Sequence, residues 1–241
     1  MADNISLIKK VFAENGLDKL LNADRLEKLN GLIDNMLETN EKFNLTSITD
    51  PEEIILKHIA DSATIIKYIP EKAKLIDVGT GGGFPSLPIA ILRDDVSVYA
   101  LDSTAKKLAY IDATAKKLGL TNLKTIVGRA EEHGKTVNYR QRFDVATARA
   151  VASLNVLCEL CIPFVKVGGS FISMKGSNAQ EEVDSAKSAV IQLGGSKFVD
   201  DQFSLAYNGS EFDRHILISK KVKPTPDSFP RAYSRISKKP L

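Results

Sequence analysis

The sequence contains few cysteines, no long apolar run and only a small excess of positive charge. Its two cysteines, Cys158 and Cys161, stand three residues apart on a predicted apolar helix. Because there is no second cysteine pair and no histidine cluster, we interpret them as core residues rather than a redox or metal site, and we expect no metal. No apolar run approaches the roughly 18 residues of a membrane span, and the opening residues 1–4 are acidic, unlike a secretory signal. We therefore expect a cytoplasmic protein without a membrane partner.

The formal net charge of +3 is too small to indicate a nucleic-acid partner by itself. The charge is unevenly distributed, however, because residues 220–241 carry seven basic side chains and one acidic side chain. Four prolines in the same stretch predict a segment that is not helical and can lie along a phosphate backbone. Two interpretations stay open: contact with RNA through Arg231 and Arg235, or a solvated tail that keeps the protein in solution.

Residues 75–84, L-I-D-V-G-T-G-G-G-F, predict a buried strand that runs into a glycine-rich turn, with a helix beyond. Such a turn can hold a ligand against bare main chain. A dinucleotide fingerprint would need a glycine in place of Phe84, and a carboxylate such as Asp77 suits a pyrophosphate poorly. S-adenosylmethionine has no phosphate and carries an amino group, and the run fits the D-x-G-x-G-x-G pattern of Rossmann-like methyltransferases. The predicted cofactor residues of this turn are Asp77, Gly79, Gly81 and Phe84.

Two of these residues have a second interpretation. Asp77 either orders the turn through backbone hydrogen bonds or contacts the amine of the methionine moiety. Phe84 either packs against the cofactor or fills the core beneath the turn.

Three further predicted strands each end in a small or charged residue. The apolar run 96–101 ends at Asp102, about 20 residues after the glycines, where an acid that accepts from ribose hydroxyls is expected. A strand at 123–128 leads into Arg129, and a strand at 143–148 leads into Arg149. Because ligands bind outside the carboxyl ends of strands in open parallel sheets, these residues are predicted to line one cofactor site.

The alternation of strands and helices from residue 74 onward predicts an α/β fold of the Rossmann-like class I methyltransferase type. We expect a seven-stranded, mostly parallel sheet whose last two strands, near 197–206 and at 214–220, form an antiparallel edge. A helix is predicted at 130–138. The chain divides into an N-terminal helical cap (1–73), an S-adenosylmethionine-binding domain (74–221) and a basic, proline-containing tail (222–241).

Taken together, several short runs resemble the RsmG (GidB) family over essentially the full length of the chain. They are N-L-T at 44–46, H-I-A-D-S at 58–62, G-F-P at 83–85, R-A-E at 129–131 and A-R-A at 148–150. The resemblance implies an S-adenosylmethionine-dependent methyltransferase that acts on N7 of guanine 527 in the decoding-region loop of 16S ribosomal RNA. It implies a monomer whose partner is that RNA or the small-subunit particle. It also implies cofactor contacts at Gly79, Phe84, Ala130, Glu131 and Arg149.

The chemistry of the residues supports the same acceptor atom. Methylation of an exocyclic amine uses an N/D-P-P-aromatic turn after the fourth strand, whereas this chain has T-A-R-A at 147–150. Methylation of a pyrimidine carbon needs an exposed cysteine nucleophile. Guanine N7 has a free lone pair and loses no proton, so no general base is needed and positioning dominates. A small-molecule methyltransferase with the same sheet remains the alternative.

Arg149 is the residue that we expect to position the cofactor and the target base, with a structural salt bridge, for instance to Glu131, as the alternative. Glu131 either marks adenine recognition through the neighbouring amide or supplies a helix N-terminal charge. Arg129 is expected to contribute positive potential toward RNA.

His58, Asp61 and Ser62 can share one helix face, a spacing that indicates a hydrogen-bonded cluster rather than a catalytic triad. We expect this helix and the loop at Asn44 to close over the cofactor, with an RNA contact by Asn44 as the alternative.

Overall fold

The computed structural model describes residues 4–41 and 45–241. Its central element is a seven-stranded sheet in the order β3-β2-β1-β4-β5-β7-β6. Strands β1 to β5 are parallel, and β7 runs antiparallel to both of its neighbours. The expected antiparallel edge is therefore present. The strands are β1 (Lys74–Val78), β2 (Ser97–Asp102), β3 (Leu123–Val127), β4 (Phe143–Arg149), β5 (Val165–Lys175), β6 (Val199–Tyr207) and β7 (Ser210–Lys220).

Ten α-helices are assigned within the described residues, and most connect or cover the strands. They are α1 (Asn4–Glu14), α2 (Ala23–Asn40), α3 (Pro51–Ile54), α4 (Asp61–Ala63), α5 (Ser86–Leu92), α6 (Ala105–Lys117), α7 (Ala130–His133), α8 (Leu154–Cys161), α9 (Ala179–Gln192) and α10 (Tyr233–Lys238). A π-helical segment, Ile55–Ala60, joins α3 to α4, and a 3₁₀ segment, Thr64–Tyr68, continues α4. π-Helical turns often occur at functional sites. In this chain the π segment carries His58.

Two apolar clusters cover the two faces of the sheet. One joins the N-terminal helices to the sheet, with Ile8, Phe12, Leu29 and Ile33 fully buried together with Leu75 of β1. The other packs α8, α9 and α10 against the opposite face and contains both cysteines. Removing this apolar area from water is the main favourable term in folding. The N-terminal helices thus form a cap on one face of the sheet.

Local sequence signals explain where the helices begin. The carboxylate of Asp50 accepts a hydrogen bond from the backbone N–H of Glu53 at 2.9 Å, and Pro51 occupies the first helical position. Asn22 caps α2 in the same way through the N–H of Arg25 at 2.8 Å. Both interactions satisfy N–H groups that a helix leaves unpaired at its start.

Three predicted boundaries were wrong. The helix predicted at 130–138 ends at His133, since Gly134 follows and the next residues, including Thr136 and Val137, favour helix poorly. Strand β7 begins at Ser210 rather than at 214, because Asn208 and Gly209, with φ of 51° and 76°, form a two-residue hairpin turn after β6. The tail is not wholly irregular, because α10 occupies the proline-free stretch between Pro230 and Pro240.

Among the described residues, no helix is both long enough and apolar enough to cross a membrane.

Candidate active site

The glycine turn after β1 is held by backbone hydrogen bonds from the neighbouring strand. The N–H groups of Gly79 and Thr80 donate to the carbonyl of Leu101 at 2.8 and 3.0 Å. Gly79 has a φ of +74°, and a Cβ added there would lie 2.6 Å from a methyl carbon of Val151. A Cβ at Gly81, by contrast, would meet no atom closer than 3.9 Å. Gly81 therefore faces open space, as a residue that borders a ligand must.

Asp77 lies beneath this turn and is completely buried. Its Oδ2 accepts a hydrogen bond from the hydroxyl of Ser86, which in turn lies 2.5 Å from the hydroxyl of Thr80. Burial raises the pKa of the Asp77 carboxyl, against the lowering effect of these hydroxyl groups. Its Oδ1 has no hydrogen-bond partner in the described part of the chain. Asp77 thus orders the turn through side-chain hydroxyls and keeps one acceptor atom for another donor.

Asp102 joins the end of β2 to the glycine turn. Its Oδ2 accepts from the N–H of Gly81 at 3.0 Å, and its Oδ1 accepts from the N–H of Thr104 at 2.8 Å. A carboxylate has about four lone-pair sites, so both oxygens can still accept from ribose hydroxyls. The side chain is half-buried at the edge of the main cavity.

A cavity of about 480 Å³ lies at the carboxyl ends of β1, β2, β3 and β4. It brings together most of the residues singled out in the sequence, namely Gly79, Gly81, Phe84, Asp102, Arg129, Ala130, Glu131 and Arg149. Asp77 supports the floor without lining it, Arg231 and Arg235 are not among the lining residues, and Asn44 lies outside the described residues. The volume and the strand-end position are those of a small-molecule or cofactor site.

Arg149 is held by an ion pair, but with Asp61 rather than with Glu131. Its Nη1 donates to Oδ2 of Asp61 at 2.9 Å and to the carbonyl of Lys57 at 2.8 Å. The other oxygen of Asp61 accepts from Nε of Arg214 at 2.8 Å. One buried carboxylate therefore fixes two guanidinium groups, which is a strong and directional arrangement.

His58 completes this cluster with both ring nitrogens engaged. Its Nδ1 lies 3.3 Å from Nη2 of Arg149, and its Nε2 lies 3.1 Å from the hydroxyl of Thr46. Burial and the charge of Arg149 lower the pKa of His58 to about 4, so the ring is neutral at physiological pH. Because a guanidinium only donates, Nδ1 must accept, and the ring proton is assigned to Nε2. His58 thus has no free lone pair.

Phe84 forms the apolar part of the same cluster. Its ring stacks on His58 with centroids 4.7 Å apart, and the guanidinium carbon of Arg149 lies 5.6 Å from its centroid. It is nearly buried and also borders the cavity. Both interpretations of Phe84 are compatible with this position. Ser62 donates its hydroxyl to the carbonyl of His58 and takes part in the cluster through the backbone only.

A second cavity, of about 450 Å³, adjoins the first at His58, Arg149 and Ala150. Its lining adds the basic side chains of Lys57, Lys175 and Arg214 to the acidic Asp61 and Glu182. Sequence reasoning missed Arg214, which is 153 residues from Asp61 and has no local motif to connect the two. Arg214 stands shortly before the apolar residues of β7, and this position is the one sequence feature that could have indicated a role for it.

The C-terminal segment packs against the protein and is not a solvated tail. Glu159 is fully buried on α8, and its carboxylate accepts from the backbone N–H of Arg231 at 2.7 Å and from the guanidinium at 2.6 to 3.1 Å. Arg140 donates to the carbonyls of Phe229 and Thr225. The guanidinium of Arg231 is therefore used inside the protein, which corrects the expectation that it is available for RNA. Arg235 is exposed on α10.

No group of three or more metal-ligating side chains occurs within residues 4–41 and 45–241. Both cysteines are buried, and burial raises the pKa of each thiol. Their interpretation as core residues is consistent with this environment.

Two kinds of comparison connect the chain to known proteins. The family described as rRNA small subunit methyltransferase G matches residues 25–207. The ribosomal RNA small subunit methyltransferase G of Clostridium perfringens is 44% identical over 237 residues, which are 98% of either chain. That of Desulfitobacterium hafniense is 44% identical over 222 residues, 92% of this chain and 91% of the other.

Solved structures share the fold at much lower identity. The YcgJ protein of Bacillus subtilis superposes with a TM-score of 0.54 at 12% identity, covering 69% of this chain and all of its own. An S-adenosylmethionine-dependent O-methyltransferase of Thermotoga maritima gives 0.53 at 16% identity, covering 81% of this chain and 72% of its own. At these identities the likeness concerns the fold alone. It confirms the predicted Rossmann-like class I methyltransferase fold.

Proposed function

We propose, from the premise that this chain belongs to the ribosomal RNA small subunit methyltransferase G family, that it methylates N7 of one guanine in 16S ribosomal RNA. Family membership makes S-adenosylmethionine the methyl donor and ribosomal RNA the acceptor. The proposal adds the atom N7, the nucleotide guanine 527 of the decoding-region loop, and in-line transfer without a general base. As part of it, we expect the chain to act as a monomer in the cytoplasm.

The first cavity has the features that S-adenosylmethionine requires. Gly81 leaves room for the ligand, Oδ1 of Asp77 is an unused acceptor beneath the turn, and Asp102 can accept from the ribose. We assign the cofactor to Asp77, Gly79, Gly81, Phe84, Asp102, Ala130, Glu131 and Arg149. Held by these residues, S-adenosylmethionine would supply an electrophilic methyl group to the lone pair of N7. The protein must then hold donor and acceptor in line and exclude water.

The observation that carries the mechanism is that both candidate bases beside Arg149 are already engaged. His58 donates through Nε2 and accepts at Nδ1, and each carboxylate oxygen of Asp61 accepts from an arginine. The one acceptor lone pair of His58 is therefore taken, and Asp61 is committed to two guanidinium groups, so we assign both side chains to positioning rather than to proton transfer. Guanine N7 is an acceptor that such a site can serve, since no proton leaves during its methylation.

Arg149 stands between the two cavities, and we assign it the positioning role. Its guanidinium is fixed by Asp61, and one remaining N–H edge can face the cofactor carboxylate or the O6 edge of guanine. The second cavity gives the acceptor base a place next to the methyl donor. The deep groove of A-form RNA hides N7, so the base must lie in a loop or turn out of its stack.

The substrate is tested by transfer of labelled methyl from S-adenosylmethionine. The acceptors are small-subunit particles and naked 16S RNA, both from cells that lack the enzyme. After the reaction, the RNA is cleaved at N7-methylguanine to locate the new methyl group. We expect one new cleavage, at guanine 527 of the decoding-region loop. Tight cofactor binding without incorporation into either RNA would overturn the substrate and favour the small-molecule alternative.

The mechanism is tested by comparing single-turnover methyl transfer in H₂O and in D₂O. A pH profile would not decide, because a base with a pKa of about 4, as for His58, is already deprotonated above about pH 6. Without a general base no proton is transferred, so the two rates should be nearly equal; a rate roughly twofold or more lower in D₂O would show that a base accepts a proton and would refute the base-free step. The Asp61→Asn variant serves as a control, because a lower rate that is still equal in both solvents assigns Asp61 to positioning.

A further inference from the structure

The C-terminal helix places one aromatic side chain at the edge of the cofactor cavity. Tyr233, the first residue of α10, lines the same cavity as Asp102 and Ala130. It lies beyond residues 25–207, the part of the chain that the family description matches. No motif in the sequence singled it out, because its distance along the chain from the glycine turn hides the connection.

The chain on either side of Tyr233 is anchored, while 41% of the residue's own surface is exposed. On one side of it, Arg231 is bound to the buried carboxylate of Glu159. On the other side, Ile236 is fully buried in the core. The guanidinium carbon of Arg129 lies 6.0 Å from the Tyr233 ring centroid, which adds a cation–π contact. The backbone that carries the ring is therefore held at the cavity, so a ligand that stacks on the ring need not order this segment first.

The strand order indicates which part of a bound cofactor would lie nearest this ring. Along the sheet the order is β4, β1, β2 and β3. Arg149 and the glycine turn stand at the ends of β4 and β1, Asp102 ends β2, and residues 128–131 follow β3. With the ribose on Asp102 and the methionine moiety toward Arg149, the adenine extends toward β3. Tyr233, Arg129 and Ala130 lie there.

We propose that Tyr233 covers the adenine of S-adenosylmethionine, so that the C-terminal segment forms the outer wall of the cofactor site. The inference rests on the cofactor placement proposed above. A stacking platform for an RNA base is the competing role for an exposed aromatic ring. The lining of the cavity favours adenine, because the ring borders the same cavity as Leu160 of α8, a nearly buried apolar side chain.

The test measures dissociation constants of S-adenosylmethionine and of S-adenosylhomocysteine by calorimetry, without turnover. Tyr233→Leu should weaken both roughly tenfold, since one stacked ring is lost. Tyr233→Phe keeps the stacking face and should recover most of that loss. Ser237→Ala, an exposed position on the same helix, is the control for helix disturbance, and urea unfolding checks that each variant folds.

Two results would overturn the inference. One is an unchanged cofactor affinity in Tyr233→Leu, and the other is a loss confined to binding of 16S RNA, which would assign the ring to an RNA base. The Asp102→Asn variant distinguishes a wrong cofactor placement from a wrong adenine contact. If it also leaves cofactor affinity unchanged, the placement of the cofactor is wrong; if it weakens binding while Tyr233→Leu does not, only the adenine contact is refuted.

Discussion

At the scale of single residues, the site depends on a few polar groups that the protein itself satisfies. Asp61 holds two arginines, and Asp102 holds the glycine turn. The pKa of His58 is lowered to about 4 by burial and by Arg149. Fixing these groups in the folded chain lowers the reorganisation needed at the moment of transfer. As a consequence, the stability of the folded protein depends on pH.

His58 should make the protein less stable in mild acid. Its pKa is about 4 when folded against 6.5 when unfolded, so the unfolded chain binds the extra proton between these values. The resulting stability is fully present above pH 6.5 and is lost as the pH falls toward 4. We expect a loss of about 2 kcal/mol between pH 7.5 and 5 from this group. Urea titrations at both pH values should show a smaller loss in His58→Gln; an equal loss in both proteins would mean that His58 titrates normally.

Two glycines of the same turn should respond differently to alanine. Gly83 has a φ of +90°, and its added Cβ would lie 2.5 Å from Cδ1 of the buried Leu87, so Gly83→Ala should cost about 3 kcal/mol of unfolding free energy. Gly81→Ala meets only backbone strain of about 1 kcal/mol, but its methyl group enters the cavity. Its cofactor affinity should fall at least tenfold. Calorimetry and urea unfolding separate the two effects, and equal behaviour of both variants would contradict this assignment.

At the scale of elements, a buried ion pair adds to the Arg140 hydrogen bonds that hold the C-terminal segment. The carboxylate of Glu159 is completely buried, and Arg231 supplies its partner charge. Removing one partner of a buried ion pair destabilises a protein much more than replacing both partners by apolar residues, because one charge then stays in the core without compensation. Deleting residues 222–241 would therefore damage the fold, so it cannot serve as a clean test of RNA binding.

Arg231→Ala should lower the free energy of unfolding by about 3–5 kcal/mol. The double variant Arg231→Met with Glu159→Leu removes both charges and should recover most of that loss. Urea unfolding of Arg231→Met, of Glu159→Leu and of the double variant measures the coupling directly. Additive losses would show that the pair is not coupled in the folded protein.

Local chemistry made some elements predictable, and separation along the chain hid others. The glycine turn, the Asp50 cap and the acid at the end of β2 are each defined within a few residues, so the sequence predicted them. The pairs Asp61 with Arg214 and Glu159 with Arg231 join residues 153 and 72 positions apart. Only the folded chain brings them together. Arg149 lines the cavity, and its carboxylate partner is Asp61 rather than the Glu131 named as an example in the alternative interpretation, for the same reason.

At the scale of the whole molecule, the net charge of +3 is too small to attract RNA by itself, so RNA binding must depend on local groups of basic residues. Arg129 lines the first cavity, and Lys57, Lys175 and Arg214 line the second. Arg235 is exposed on the helix that borders the first cavity. Phosphate contacts from such residues release counterions and make affinity depend on salt.

Arg235→Ala should weaken binding of 16S RNA without changing cofactor affinity. If Arg235 contacts one phosphate, the slope of log affinity against log salt should become shallower by about 0.7. Lys19→Ala, an exposed basic position outside both cavities, is the matched control. An unchanged slope in Arg235→Ala would remove this residue from the RNA surface.

The order of strands in the sheet has a consequence for how the protein is made. Strand β7 lies between β5 and β6, although it is the last strand to be synthesised, and α10 follows it. Chains fold as they emerge from their N-terminal end. The Arg214 contact to Asp61 and the Tyr233 edge of the cofactor cavity therefore form only after β7 and α10 have been synthesised. A nascent chain that has reached only the end of β6 has an unfinished site, so methyl transfer must wait for these later elements.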